Sequence, residues 1–337
     1  MLHFRFSFAA LILVLAGCGK RPVERIVTVY VSVDQVHAEP VLRAFERASG
    51  IRAKAVFDVE AAKATGLANR IAAERSRPQA DVFWNSEFVQ TLRLKQEGLL
   101  EPALPASARG LPETARDKDG CWYASGARFR VLIANTKKLA EQERPREWAD
   151  FLAGRFRGPD LAIALPLFGT SADQAAALYA AWGPERARGL YQKLKDRSVR
   201  VVDGNSVVRD LVVQGAAVAG WTDSDDACGA VAEGAAVQVI LPGQEGEGTL
   251  EIPGTVARVK GGRHVEEARA LMDFLLRPES EKMLIDSGFY QASVRSDGAV
   301  HPCLGRRQVV RLKAGLEEIS KQLEPSRQDM AAIFGRS

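Results

Sequence analysis

An apolar run that breaks into acid sets the frame for this chain. Residues 216–228 read AAVAGWTDSDDAC, so a stretch ending at Trp221 is followed by Asp223, Asp225 and Asp226 within four residues. A strand covered on both faces cannot hold that much charge, because burying an unpaired carboxylate is costly. The aspartates therefore belong at the carboxyl end of the strand, where open α/β sheets bind their ligands. A simpler reading has Thr222 and Asp223 cap the next helix, since hydroxyl and acidic residues are preferred there and acids suit the first turn. Capping needs one aspartate and three are present. Both readings stand at this level.

The chain begins MLHFRFSFAALILVLAGC, with an apolar segment over residues 6–15 that is too short to cross a bilayer as a mature helix. It reads as an export signal over residues 1–17. The LAGC ending resembles the bacterial lipobox, which makes Cys18 the lipid-bearing first residue of the mature chain, and residues 18–25 a tether. Lipid would hold an exported, periplasmic domain on the inner or outer membrane without spanning it. Beyond Cys18 three cysteines remain, Cys121, Cys228 and Cys303, so one disulfide with a free thiol and three free thiols are both open. A formal charge of +4 on 337 residues, with Lys and Arg scattered, gives nucleic acid nothing to bind.

The chain beyond the signal is longer than one core usually serves, and the order of its elements predicts two lobes. The β-branched run RIVTVYVS (25–32) is a strand, residues 39–49 a helix stopped by Gly50, residues 51–57 a strand and 66–77 a helix. ADVFW (80–84) is a strand whose end carries Asn85, Ser86 and Glu87. This βαβαβ order implies an α/β fold, each lobe a mainly parallel sheet flanked by helices. WYASGARFRVLIAN (122–135) alternates and places Arg128 and Arg130 on one face. It begins the crossing into a second lobe, where the loops FGTS (168–171) and DGNS (203–206) each follow a strand and precede a helix. A helix is expected at 147–152, a strand pair or return crossing at 250–261, and a helical end over 307–337. The cleft between lobes is the expected site.

Taken together, VYVSVDQVHAEPVLRAFERASGI, DVFWNSEFVQTLRLKQEGLL, WYASGARFRVLIANT, GTS, GNSVVRDLVVQGAAVAGWTD and HVEEARALMDFLLRPESEKML resemble the substrate-binding proteins of ABC importers, specifically the ferric-ion-binding group with its type II periplasmic-binding fold. The resemblance implies lobe one from residues 26–132 and 256–306, lobe two from 133–255 and 307–337, a monomer, and partners in a membrane permease and its ATPase. It implies an anion pocket formed by Thr170, Ser171, Asn205 and Arg128, with Asp223 where the group has an asparagine. It also places Asp225 and Asp226 where that group carries a tyrosine pair, Asp34 where it has a histidine, and Ser86 or Glu87 where it has a glutamate. His37 stands three residues beyond Asp34.

Convergence of Asp34, Glu87, Asp225 and Asp226 would gather four carboxylates, which repel unless a cation joins them. A hard metal ion such as iron, calcium or magnesium suits oxygen donors and is the first expectation, with or without a companion anion. An organic cation or zwitterion is the alternative, with Trp84 and Trp221 either boxing its head group or packing in the core. A phosphonate or carboxylate solute held by Asn85, Ser86, Thr170, Ser171, Asn205 and Arg128 is a third form of the same reading. Tyr290 is expected to pack rather than to ligate. No GxSxG or Cys-His signature supports an enzyme, and no resident cofactor is indicated. A loaded sensor that docks on a membrane receptor would use the same fold.

Overall fold

The β-branched residues of Ile26–Val31 form the first strand, β1, which pairs in parallel with β2 (Arg52–Phe57) and β3 (Val82–Asn85). The computed structural model describes residues 24–57, 63–295, 300–305 and 308–335, so the signal segment and Cys18 lie outside the described residues. The connecting helices are α1 (Gln35–Ser49) and α2 (Lys63–Ala73), and α3 (Val89–Gln96) follows β3. Helix α1 starts four residues before the apolar period announces it. Only Ala38 of its opening residues is buried, so Val41, Leu42 and Phe45 carry the visible pattern.

The strand β5 (Trp122–Asn135) is buried along its whole length and organises the rest. Its residues 122–129 pair antiparallel with β10 (Glu251–Val259), which itself pairs with β3 and with the short β4 (Leu100–Glu101). Its residues 130–135 pair instead with β8 (Ala219–Asp223) and β9 (Val237–Ile240). Strands β6 (Leu161–Ala164) and β7 (Arg200–Val202) extend the second half in parallel beyond β8. Each half is thus a parallel unit joined to an antiparallel crossing strand, an α/β architecture in two lobes.

Alternation along β5 divides the second half into two cores. Leu132 and Ala134 face one with Trp221, Tyr191 and Phe151, while Val131 and Ile133 face another with Val208, Val212 and Ala227. The first half has one large core running from Val29 and Phe83 to Leu271. The helices of the second half are α4 (Gly169–Trp182), α5 (Pro184–Asp196), α6 (Asn205–Val213) and α7 (Ser224–Ala232), and the chain closes with α8 (Val265–Leu275), α9 (Pro278–Asp286) and α10 (Leu316–Phe334).

The seam differs from the boundaries expected at 132/133 and 255/256. The pairing partner of β5 changes between Phe129 and Arg130, and β10 joins the first half from Glu251. Helix α10 belongs to neither half alone, because Ile319 and Leu323 pack in the first core and Met330, Ile333 and Phe334 in the second. One other expectation is corrected, since residues 148–152 form a 3₁₀ turn rather than an α-helix, and of the two options for 250–261 the single strand over residues 251–259 is the return crossing.

Tyr290 packs, and the glycines opposite show how tightly. A Cβ on Gly126, whose φ of +129° already disfavours side chains, would come within 2.2 Å of the Tyr290 ring, and one on Gly254 within 2.0 Å of its hydroxyl. Cys228 of α7 is bonded to Cys303, with Cα atoms 5.7 Å apart, and Cys121 is a buried free thiol. The bridge closes a 75-residue separation. Cys228→Ser with Cys303→Ser should therefore lower stability by about 2–5 kcal/mol in denaturant titration, without loss of the fold.

Candidate functional site

Strands β1, β3, β6, β7 and β8 end on one rim, where a cavity of about 310 Å³ opens between the halves. Lobe one contributes Ser32 and Asp34 after β1 and Ser86 and Glu87 after β3. Lobe two contributes Thr170 and Ser171 at the start of α4, Asn205 and Ser206 at the start of α6, and Asp223, Asp225 and Asp226 around the start of α7. Arg128 enters from β5, and Phe168, Val207 and Phe289 add apolar wall.

The three aspartates divide their roles. Asp223 occupies the N-cap position of α7 but makes no side-chain cap. It accepts instead from Arg130 Nη1 at 2.7 Å, Thr170 Oγ1 at 2.6 Å, Asn205 Nδ2 at 3.1 Å and Arg128 Nη1 at 3.3 Å. Burial opposes its ionisation, but the two guanidinium groups outweigh burial and hold its carboxyl below the ordinary value. Asp225 accepts from Arg128 at 2.9 Å through Oδ2, while its Oδ1 is buried with no donor. Asp226 accepts from the Thr222 hydroxyl at 3.2 Å. Burial raises the Asp225 carboxyl, and burial with the neighbouring charges of Asp225 and Asp223 raises Asp226 well above its ordinary value.

Arg130 was not a candidate from sequence, yet it is the buried centre of the site. Its Nε donates to Gln174 at 2.9 Å and its Nη1 to Asn205 at 2.9 Å as well as to Asp223. The signal available was its i, i+2 relation to Arg128, which put both on one face. Arg128 spans the halves: Nη2 donates to the Ser86 carbonyl at 3.0 Å, and the guanidinium lies 5.2 Å above the Phe289 ring.

Of the residues named from sequence, Asp34, Ser86, Glu87, Arg128, Thr170, Ser171, Asn205, Asp223, Asp225 and Asp226 all line the cavity. Asn85 does not. It is buried beneath, accepting from Ser32 at 2.6 Å and donating to Glu87 at 2.9 Å and Thr91 at 3.1 Å, so it shapes the loop. Glu87 does not present free oxygens for a metal, because they accept from Asn85 and from the first amides of α3, Val89 and Gln90. Trp84 and Trp221 are core residues, the latter stacked edge-on with Trp148 at 5.0 Å, so neither boxes a ligand. Tyr290 is buried, its hydroxyl 3.1 Å from Ser125 and its pKa pushed up to about 12 by burial, and it supplies no phenolate. His37 turns to Ser287, 3.0 Å away.

A model of the bacterial extracellular solute-binding protein family matches residues 77–308, more than half the chain. The chain belongs to that family. It is 34% identical over 137 residues to the major ferric iron-binding protein of Neisseria gonorrhoeae, a match that spans 39% of this chain and 39% of that protein. It is 28% identical over 287 residues, 81% of this chain and 80% of the relative, to a Salmonella typhimurium periplasmic protein assigned provisionally to 2-aminoethylphosphonate binding. The ferric binding protein of Campylobacter jejuni superposes with a TM-score of 0.82 at 20% identity, over 92% of this chain and all of that one, which establishes the two-lobe fold.

For this family member the Arg130–Asp223 pair is a structural requirement. Arg130→Met strands a buried carboxylate and should cost about 3–5 kcal/mol in denaturant titration. Asp226→Asn should act in the opposite direction. A carboxyl whose folded pKa is raised loses stability as pH climbs from its unfolded value through the folded one. The Asn variant should therefore melt higher than the parent at neutral pH and no higher below about pH 4, near the ordinary value.

Proposed function

We propose that this chain is the periplasmic solute-binding component of an ABC importer, held on a membrane through lipidated Cys18, and that it captures a small zwitterion between its lobes. The observation that carries the ligand class is Asp225. Its buried Oδ1 lacks a donor beside a second carboxylate, Asp226, that burial makes unfavourable to ionise. An ammonium group supplies both needs, with donors for the open oxygens and charge for the excess of acid. Six acids line the cavity, Asp34, Glu87, Asp203, Asp223, Asp225 and Asp226, against the one lining guanidinium of Arg128 and the buried Arg130 behind it, so the site is rich in acid.

The anionic end of the solute is assigned to the neighbouring helix starts. Helices α4 and α6 both start there without a side-chain cap, and Thr170, Ser171, Asn205 and Ser206 surround their first turns. Uncapped amides and the helix dipole favour a phosphonate, phosphate or carboxylate. The cavity, about 310 Å³, is at the lower end of the range for organic ligands. The aminophosphonate assignment of the Salmonella relative is consistent with this pairing of charges.

A metal ion held with an anion is the second reading. It is favoured by oxygens of Asp223, Asp225 and Asp226 lying within 4.8 Å of one another and by the iron-binding relatives. Against it, the Asp223 oxygens are already occupied by four donors. Either cargo passes to a permease and ATPase on other chains after lobe closure, without chemical change; a membrane receptor would receive the same closed form if the role is sensing.

Thermal-shift titration separates the readings. 2-Aminoethylphosphonate should stabilise the mature chain saturably, by about 2.7 kcal/mol at a hundredfold excess over Kd, with ethanolamine and inorganic phosphate each weaker. Asp225→Asn with Asp226→Asn should abolish the shift and leave a folded protein. A shift from ferric citrate alone, absent with the other three probes, would replace the zwitterion with the metal.

A further inference from the structure

Lysines and arginines scattered along the sequence of the first lobe meet at one rim when it folds. Strands β1, β2 and β3 run parallel and all start at that rim, and β10, antiparallel to β3, ends there. The end of α1 feeds β2, the segment 74–81 after α2 feeds β3, and the turn 260–264 follows β10. These pieces touch. The Arg52 amide donates to the Arg25 carbonyl at 2.9 Å, the His264 amide donates to Asp81 Oδ1 at 2.9 Å, and a Cβ on Gly261 would lie 3.2 Å from Pro78. Arg47, Arg75, Arg77, Lys260 and Arg263 are exposed around this rim, and none of them forms an ion pair among the described residues.

Acids at the rim are already engaged. Glu24 is paired with Arg52 at 3.0 Å, Glu267 with Arg25 at 2.9 Å and Glu101 with Arg258, while Glu46 accepts from the Ala53 amide at 2.9 Å. The exposed cations are therefore left facing solvent as net positive charge. The chain enters the described fold at the same rim, through Glu24 and Arg25 ahead of β1. Residues 18–23, CGKRPV, add Lys20 and Arg21 and can span about 20 Å at most. A lipid on Cys18 thus keeps this rim next to the bilayer, whereas the cleft lies at the other ends of the same strands.

We propose that this basic rim of lobe one rests on an anionic lipid surface, and that the anchored domain stands on it with its acidic cleft turned to the aqueous side. The orientation rests on the lipid-anchor reading and is independent of which solute is carried. A lipid already retains the domain, so what the rim adds is direction. Exposed basic side chains are drawn to an anionic bilayer over about a Debye length, about 10 Å at 0.1 M salt, which the tether allows them to reach. The acids that line the cleft are repelled by the same surface, so both ends of the lobe favour one pose. Contacts of this kind are screened and reversible, and the domain can leave the surface to meet a permease.

The test is sedimentation of the mature unlipidated chain, residues 18–337, with vesicles of phosphatidylcholine alone or mixed equally with phosphatidylglycerol, and with no solute. The wild type should bind the anionic vesicles at about 0.1 M salt and release them at about 1 M, where screening acts within about 3 Å. Arg75→Glu with Arg77→Glu and Lys260→Glu should weaken that binding at least about tenfold. Lys193→Glu with Lys195→Glu and Arg200→Glu, an equal change of charge at exposed positions of lobe two, should retain most of it. Equal loss in both triple variants, or wild-type binding that ignores lipid charge or salt, overturns the proposal; the lipid and salt comparisons need no variant. Mass spectrometry of the protein extracted from cell membranes reads the anchor separately. An unmodified Cys18 with anionic-vesicle binding intact would refute the anchor and with it the orientation, but not the lipid contact. A lipidated Cys18 with no preference for anionic vesicles would refute the contact and leave the anchor standing.

Discussion

The buried pair between Arg130 and Asp223 is the interaction on which the site depends. Arg130 is the first residue of β5 to pair with the second half, and its ladder partner is Asp223 itself. Their side chains meet at 2.7 Å at the same point, so backbone register and charge pairing coincide. Two buried charges are costly unless every remaining donor and acceptor is met. Here Gln174, Asn205 and Thr170 meet them, and these residues come from α4 and α6. The pair thus fixes the starts of two helices and the end of a strand against the crossing strand. Those helix starts line the cleft.

The satisfied pair contrasts with the acids one turn away. Asp225 and Asp226 share the first turn of α7, and the guanidinium bonded to Asp225, that of Arg128, also serves Asp223 and the Ser86 carbonyl. Nothing about helix α7 requires two further acids, since a single N-cap acid is enough to favour its first amides. Their cost to the folded chain is best understood as binding capacity held in reserve, the usual trade between stability and function. The rigid and the reactive parts of the site are therefore adjacent but separately supported.

Sequence periodicity revealed the frame because burial on both faces leaves little choice of residue. Strand β8 ending in acid, the DVFW strand ending at Asn85 and the alternation of β5 were all legible for that reason. Chain length and element order pointed to two lobes, and the resemblance added their expected boundaries. The hidden part depends on contacts between distant residues. Arg130 looked like one of many arginines until β8 was placed beside it, 93 residues away. For Trp84 and Trp221 both boxing and core packing were open from sequence, and strand pairing selects core packing. The Cys228–Cys303 bridge was one of several open pairings, and only proximity selects it.

For the proposed zwitterion, counting donors is a more telling argument than net charge, because any cation is drawn to excess acid. A hard metal ion needs about six oxygens in its coordination shell. Asp223 is taken by four hydrogen bonds, and Asp225 Oδ2 by Arg128, so this chain offers a metal few free oxygens at that wall. No phenolate compensates, since Tyr290 is buried behind Ser125. A metal would need to displace Arg128 and recruit most of its shell from a companion anion and water. A primary ammonium carries only three hydrogens. Asp225 Oδ1 and the Asp226 carboxylate offer it acceptors, and Arg128 can remain where it is. The arrangement therefore needs rebuilding for a metal ion and little change for a zwitterion.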